Sequence, residues 1–295
     1  MKYRVTHRTN YKYDRPVESS YGQVHQFPID GEGQSCLQRS VTVSPDPDQV
    51  RERTDFFGNQ VFFYSIHQNH NELDVLSESL VDTSGRMTDF NHTIAATQDW
   101  QTTLANLATS IDPTDSSASQ FKLNSPRVTS SEQLQRFARD CIEPGASLVD
   151  VASRLAHVIF TEFEFSPEAT DVSTPIDEVL ESKAGVCQDF AHLMIGALRS
   201  IGVYARYVSG YLETQPPPGQ QKLAGADQSH AWVEVYLGGN FWMGVDPTND
   251  QLISHRYVMT ARGRDYSDIT PLKGIVFTNA TETEMLVSVD VIPAT

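Results

Sequence analysis

Ala184-Gly185-Val186-Cys187-Gln188-Asp189-Phe190-Ala191-His192-Leu193-Met194-Ile195-Gly196-Ala197-Leu198 is the stretch on which the reading of this chain turns. Phe190, Ala191, Met194, Ile195 and Leu198 recur at helical spacing on one apolar face, and Gly202 is a natural C-terminal stop. Cys187 therefore falls in the first turn of the predicted helix. Backbone N–H groups at a helix start lack intrahelical acceptors, and the helix dipole favours an anion there. The thiolate, not the thiol, is the nucleophile, so such a position suits a reactive cysteine and places an oxyanion-binding N–H beside it.

Downstream the pattern changes to strands. Val203 to Leu212 is one, followed by a loop containing Pro216-Pro217-Pro218-Gly219. His230 to Leu237 is another, and Phe241 to Asp246 returns after Gly238-Gly239-Asn240. Alternation puts Ala231, Val233, Val235 and Leu237 on the core face and His230, Trp232, Glu234 and Tyr236 on the other. A three-residue turn would set Trp232 opposite Asp246, with His230 diagonal to it and within side-chain reach. Tyr257-Val258 and Leu286 to Ile292 could add further strands.

Upstream of the cysteine the chain is helical. Ser130 with Gln133 has capping-box spacing before Leu134, Phe137, Ala138 and Cys141, and Pro144-Gly145 ends that element. After Ser147, a stripe of Leu148, Val151, Ala152, Leu155, Val158 and Ile159 predicts a second helix. The first ~85 residues instead read as short strands broken by Arg15-Pro16, Ser44-Pro45-Asp46-Pro47 and Gly58-Asn59, which suggests a small antiparallel sandwich or barrel. The expected division is a β domain over 1–85, a polar connection over 86–129 with at most one or two short helices, and an α+β core over 130–295.

Four blocks carry a resemblance. Gly185-Val186-Cys187-Gln188-Asp189-Phe190-Ala191, Arg206-Tyr207-Val208-Ser209-Gly210-Tyr211, Ser229-His230-Ala231-Trp232-Val233-Glu234-Val235 and Asp246-Pro247-Thr248-Asn249 together resemble the bacterial transglutaminase-like proteins. The N-terminal part, with His7-Arg8-Thr9-Asn10-Tyr11 and Phe57-Gly58-Asn59, is similar to the β domain that accompanies this core in the bacterial members. The resemblance implies a papain-like core and a Cys187-His230-Asp246 triad, used for cysteine-dependent cleavage of an amide in a peptide or protein substrate. Amine-acceptor acyl transfer is the alternative within enzymes, since a triad does not decide which acceptor takes the acyl group. A peptide-binding scaffold that keeps the fold without catalysis is the alternative outside them.

Composition narrows the partners. The 295 residues carry a net charge of −16, which repels phosphate backbones and anionic lipid, so neither nucleic acid nor membrane is expected as a partner. No leader-like apolar stretch follows Met1, and a cytoplasmic location is expected. Cys36, Cys141 and Cys187 are too few and scattered for a disulfide framework, and Cys141 reads as core packing. His67 and His70 are spaced HxxH but sit in a turn-like stretch, so no metal is expected; Gly31 and Gly33 make no phosphate loop, and no cofactor is expected. Asp189, one turn into the helix, would complement its dipole.

Overall fold

A computed structural model describes residues 1–86, 89–90, 93–214, 225 and 227–294. The proline-rich loop at 216–219 lies outside the described residues.

The N-terminal sheet is organised by one long strand, β1 (Lys2–Val24). Tyr3, Val5, His7 and Thr9 are buried while Lys2, Arg4 and Arg8 are exposed, the period-two signature of a half-buried strand. β2 (Ser35–Ser44), β3 (Gln49–Thr54), β4 (Gln60–Ile66) and β5 (His70–Asp82) follow, in the spatial order β2-β5-β1-β4-β3. β1 outruns each of its partners. Its residues 2–12 pair with β5 and residues 20–24 with β4, both antiparallel, so the sheet curls along its length. At the β3–β4 turn, Asp55 Oδ1 accepts the N–H groups of Phe57 and Asn59, and Gly58 takes the left-handed φ of 86° that the turn requires. The expected sandwich or barrel is thus one curled antiparallel sheet.

The connection holds more helix than its polar composition suggests: α1 (Ile94–Thr97), α2 (Trp100–Thr109) and α3 (Pro113–Ala118). Two of these start at aspartate caps. Asp99 accepts from the N–H groups of Gln101 and Thr102, and Asp112 from that of Thr114. α4 (Glu132–Asp140) is capped by Ser131, one residue later than expected, because its hydroxyl reaches Leu134 N. Cys141 ends that helix as its cap and, half-buried, packs against the core as expected. α5 (Leu148–Glu162) begins as read: Ser147 and Asp150 exchange side-chain and backbone hydrogen bonds as a capping box.

β6 (Glu164–Phe165), α6 (Ile176–Ser182) and β7 (Ala184–Gly185) lead to α7 (Cys187–Ser200), the helix the core is built on. Ala191, Leu193, Met194, Ile195, Ala197 and Leu198 are fully buried among α4, α5, α6 and one face of a five-stranded antiparallel sheet. That sheet comprises β8 (Ala205–Leu212), β9 (Ser229–Gly238), β10 (Phe241–Asp246), β11 (Gln251–Leu252) and β12 (Tyr257–Gly263), ordered β11-β10-β9-β8-β12. At the far end of α7, the buried Arg199 donates to the carbonyls of Phe121, Ala205 and Arg264, fastening the helix to the chain around it.

β9 departs from a one-sided strand. Ala231, Val233, Val235 and Leu237 face the helices as expected, but Trp232, Glu234 and Tyr236 are buried too. The second face is covered by the N-terminal part and, around Tyr236, by Leu107, Ala118 and Phe121. Ile29 packs with Val208, Trp232, Tyr257 and Met259, and the Gln34 side chain bonds both N–H and C=O of Met259. β13 (Leu272–Thr278) and β14 (Thr283–Ala294) then differ from the core expected over 130–295. Both run antiparallel to β1, filling the edge that this long strand leaves open. Val289 and Val291 are buried there with Tyr3, Val5 and Val81, and with Tyr211 and Val258 of the core.

Candidate active site

Cys187 is the first residue of α7, and Val186 before it is extended. The carboxylate of Asp189, nine-tenths or more buried, accepts from Val186 N at 2.9 Å and from Thr170 Oγ1 at 2.5 Å. This satisfies one of the free N–H groups at the helix start and ties the 166–175 loop to it. Burial raises the Asp189 pKa, and these hydrogen bonds oppose the rise. Asp189 thus braces the turn that carries the cysteine in addition to complementing the dipole. Cys187 itself is half-buried and unpaired with any other cysteine.

His230 enters from β9 and Asp246 from the end of β10. The β9–β10 ladder pairs Val245 with Val233, and a register shift at the turn is absorbed between Phe241 and Trp242. One step on in that register, Trp232 stands opposite Asp246 and His230 is diagonal to it, as the hairpin reading expects. His230 Nε2 lies 2.7 Å from Asp246 Oδ2, and Cys187 is near enough to favour the imidazole's charge. With Nε2 engaged by the carboxylate, Nδ1 is the nitrogen left for sulfur. The hairpin thus brings His230 and Asp246 into contact, and Cys187 at the start of α7 is close enough to act on the imidazole.

Asp246 is fully buried, where an unpaired carboxylate would be costly. It is saturated instead. Oδ2 accepts from His230, from Asn249 Nδ2 at 2.7 Å and from the Tyr257 hydroxyl at 2.7 Å; Oδ1 accepts from Thr248 N at 2.9 Å. Burial pushes the Asp246 pKa up, but these donors outweigh it and hold the carboxyl below its ordinary value. For His230 burial again opposes the charge, and the hydrogen bonds to Asp246 and Cys187 overcome it, raising the pKa to about 10. The pair is thus arranged to hold an imidazolium, the partner a thiolate needs.

Around this centre, Tyr207 is buried with its ring 4.9 Å from that of His192, about one turn along α7 from Cys187. His192 Nε2 accepts from Tyr266 N at 3.1 Å, and burial lowers its pKa to about 4, so it serves as a neutral packing histidine. Tyr257 is a site residue that the sequence reading missed. It comes from β12, an edge strand separated from β10 by β8 and β9, and no local pattern links the two. Asn249 stands in the quoted Asp246-Pro247-Thr248-Asn249 block, but its bond to Asp246 becomes visible only in the fold.

The other candidates are structural. His70 is buried between Ser20 Oγ and Gln68 O, and His67 lies 3.3 Å from Asp48, so the two imidazoles are separately engaged. Among the described residues no cluster of three metal-ligating side chains occurs. Nor is any described helix long and apolar enough to cross a membrane.

The family described as the bacterial transglutaminase-like N-terminal region matches residues 3–82, and the transglutaminase-like superfamily matches residues 135–247. An uncharacterised protein of Mycobacterium tuberculosis is 40% identical over 299 residues, covering 99% of this chain and 93% of its own. One of Mycobacterium leprae is 32% identical, with 92% of each chain covered. A protein-glutamine gamma-glutamyltransferase of Pseudomonas aeruginosa is 32% identical over 107 residues, 36% of this chain and 16% of that one. The fold matches the crystal structure of a protein from Cytophaga hutchinsonii, provisionally assigned as a cysteine protease, with a TM-score of 0.77 and 23% identity over 100% of this chain and 92% of the other. Curled N-terminal sheet, transglutaminase-like core and matching motifs agree: the chain belongs to the bacterial transglutaminase-like family.

Proposed function

We propose that this protein is a cysteine-dependent enzyme that cleaves an amide in a peptide or peptide-like substrate, with Cys187 as nucleophile, His230 as acid and base, and Asp246 as the group that orients His230. The observation that carries this reading is the 2.7 Å contact of His230 Nε2 with the buried Asp246 carboxylate, beside a cysteine that opens α7 and favours the charge of the same imidazole.

His230 Nδ1 takes the thiol proton, and the thiolate attacks the amide carbonyl carbon. The oxyanion that forms meets the N–H of Cys187 at the start of α7. As the C–N bond breaks, the imidazolium returns its proton to the leaving amine, and a thioester remains on Cys187. Water, deprotonated by His230, attacks the thioester carbon and releases the acid and the free thiol. Asp246, bonded to Nε2, keeps the tautomer in which Nδ1 faces sulfur.

Transfer of the acyl group to an amine is the second reading, supported by the partial match to the Pseudomonas glutamyltransferase. Activity-based profiling with a peptide bearing an electrophilic carbonyl tests the proposal. Labelling mapped to Cys187, lost in Cys187→Ala, supports it, and a Cys187→Ala variant with undiminished turnover refutes it. Added amine divides the readings: capture of the acyl group as a new amide favours transfer, and release of free acid favours hydrolysis.

A further inference from the structure

We propose that Tyr257 is a positioning residue of this site, whose buried hydroxyl shares the Asp246 oxygen that holds His230 and so limits how firmly the imidazole keeps its proton. The inference rests on the triad reading above and concerns a residue outside the three.

Tyr257 opens β12, which is separated from β10 by β8 and β9, yet its side chain crosses this end of the sheet to reach Asp246. Its ring lies 6.1 Å from that of His230 and 5.4 Å from that of Trp232, and the residue is fully buried, so it is shielded from substrate. Gln251 Nε2 donates to its hydroxyl at 2.6 Å. A phenol oxygen that accepts from Gln251 keeps its own proton for its other hydrogen-bond partner among the described residues, and an ionised carboxylate can only accept. The direction of the Tyr257–Asp246 bond is therefore determined.

Orientation of the carboxylate does not depend on this bond. Thr248 N holds Oδ1, and Asn249 holds Oδ2 together with His230. What the hydroxyl adds is a strong donor on the very oxygen to which His230 Nε2 donates. Three donors divide the negative charge of that oxygen, and each bond is weaker than it would be with two. The other titratable groups acting on the cluster are Cys187, which acts on His230, and Arg256, which acts on the Tyr257 phenol but is paired with Glu213 at 3.0 Å. Neither takes the place of a donor on Oδ2.

The test is a nitrogen-15 NMR titration of His230 in the wild type and in Tyr257→Phe, the signal being assigned by its loss in His230→Gln. The phenylalanine keeps the ring and its packing and removes only the hydroxyl. The His230 midpoint should move up by about half to one pH unit, roughly what one hydrogen bond supplies, and the alkaline limb of Cys187 alkylation should move with it. Gln251→Leu leaves the phenol in place but frees it to turn its proton elsewhere, so a smaller shift of the same sign is expected. That variant carries the test if Tyr257→Phe does not fold. An unchanged or lowered midpoint in the folded variants overturns the inference. The titration needs no substrate: a wild type in which Cys187 alkylation ignores the His230 midpoint would refute the triad reading, while the shift between variants still reports on Tyr257.

Discussion

Asp246 Oδ2 and His230 Nε2 are 2.7 Å apart at the mouth of a two-stranded ribbon, with the carboxylate fully buried and the imidazole nine-tenths so. This inverts the cost of burying charge. Alone, either group would be driven to its neutral form by desolvation. Together with the donors around Asp246 they favour an ion pair, leaving Nδ1 for a further partner.

Replacing Asp246 with Asn removes the charge and offers Nε2 an amide that can hold the wrong tautomer. By analogy with other triads, turnover of a labelled peptide should fall by about 10⁴. Steady-state kinetics on the folded variant checks this, and a loss of less than tenfold would show that Asp246 is dispensable.

The three thiols should differ in reactivity. Burial raises the pKa of Cys36, and that of Cys141 to about 11, so both are protonated at neutral pH. Timed iodoacetamide labelling of the native protein, read by peptide mapping, should modify Cys187 first. Faster labelling of Cys36 or Cys141 would count against the assignment.

Gly210 is a point of close approach. A Cβ there would lie 2.0 Å from the carbonyl oxygen of Val258 and 2.6 Å from the Trp232 ring. Strands β8 and β12 cannot keep their pairing around it, and Trp232 has no free space to yield. Gly210→Ala should cost about 3 kcal/mol, the upper end for overpacking, measured by urea unfolding, and should disturb the site through Trp232 and Tyr257. A wild-type denaturation midpoint would contradict this packing.

His192 should make the fold acid-sensitive. Burial holds its pKa at about 4, against 6.5 for an ordinary histidine. Between these values the unfolded chain binds a proton that the folded chain excludes, so stability is lost as pH falls from about 6.5 towards 4. Glu234, raised by burial to about 7, acts in the opposite sense over part of that range, so the informative quantity is a difference between variants. The melting-temperature advantage of the wild type over His192→Gln should shrink steadily from pH 7 to pH 4. A constant difference would mean that His192 is not held neutral.

Sequence by itself determined the features that depend on neighbours along the chain. The apolar stripe from Phe190 to Leu198 makes α7 wherever it packs, and so puts Cys187 at a helix start. Ser147 and Asp150 begin α5, and the short turn after Leu237 forces β9 and β10 into a hairpin, which already sets His230 diagonal to Asp246. Hydrogen-bonding range and strand period are local, so these relations were legible. Only tertiary structure decided what lies across the sheet. Tyr257 reaches Asp246 because β12 folds beside β8, the second face of β9 is dry because the 25–34 segment and the residues around Leu107 and Phe121 cover it, and residues 272–294 return to the first strand because they pair with the edge of β1 that β4 and β5 leave open. Each of these contacts joins residues whose local patterns are those of ordinary strands. Their partners are chosen by the burial of whole faces, a property no single stretch of the chain contains.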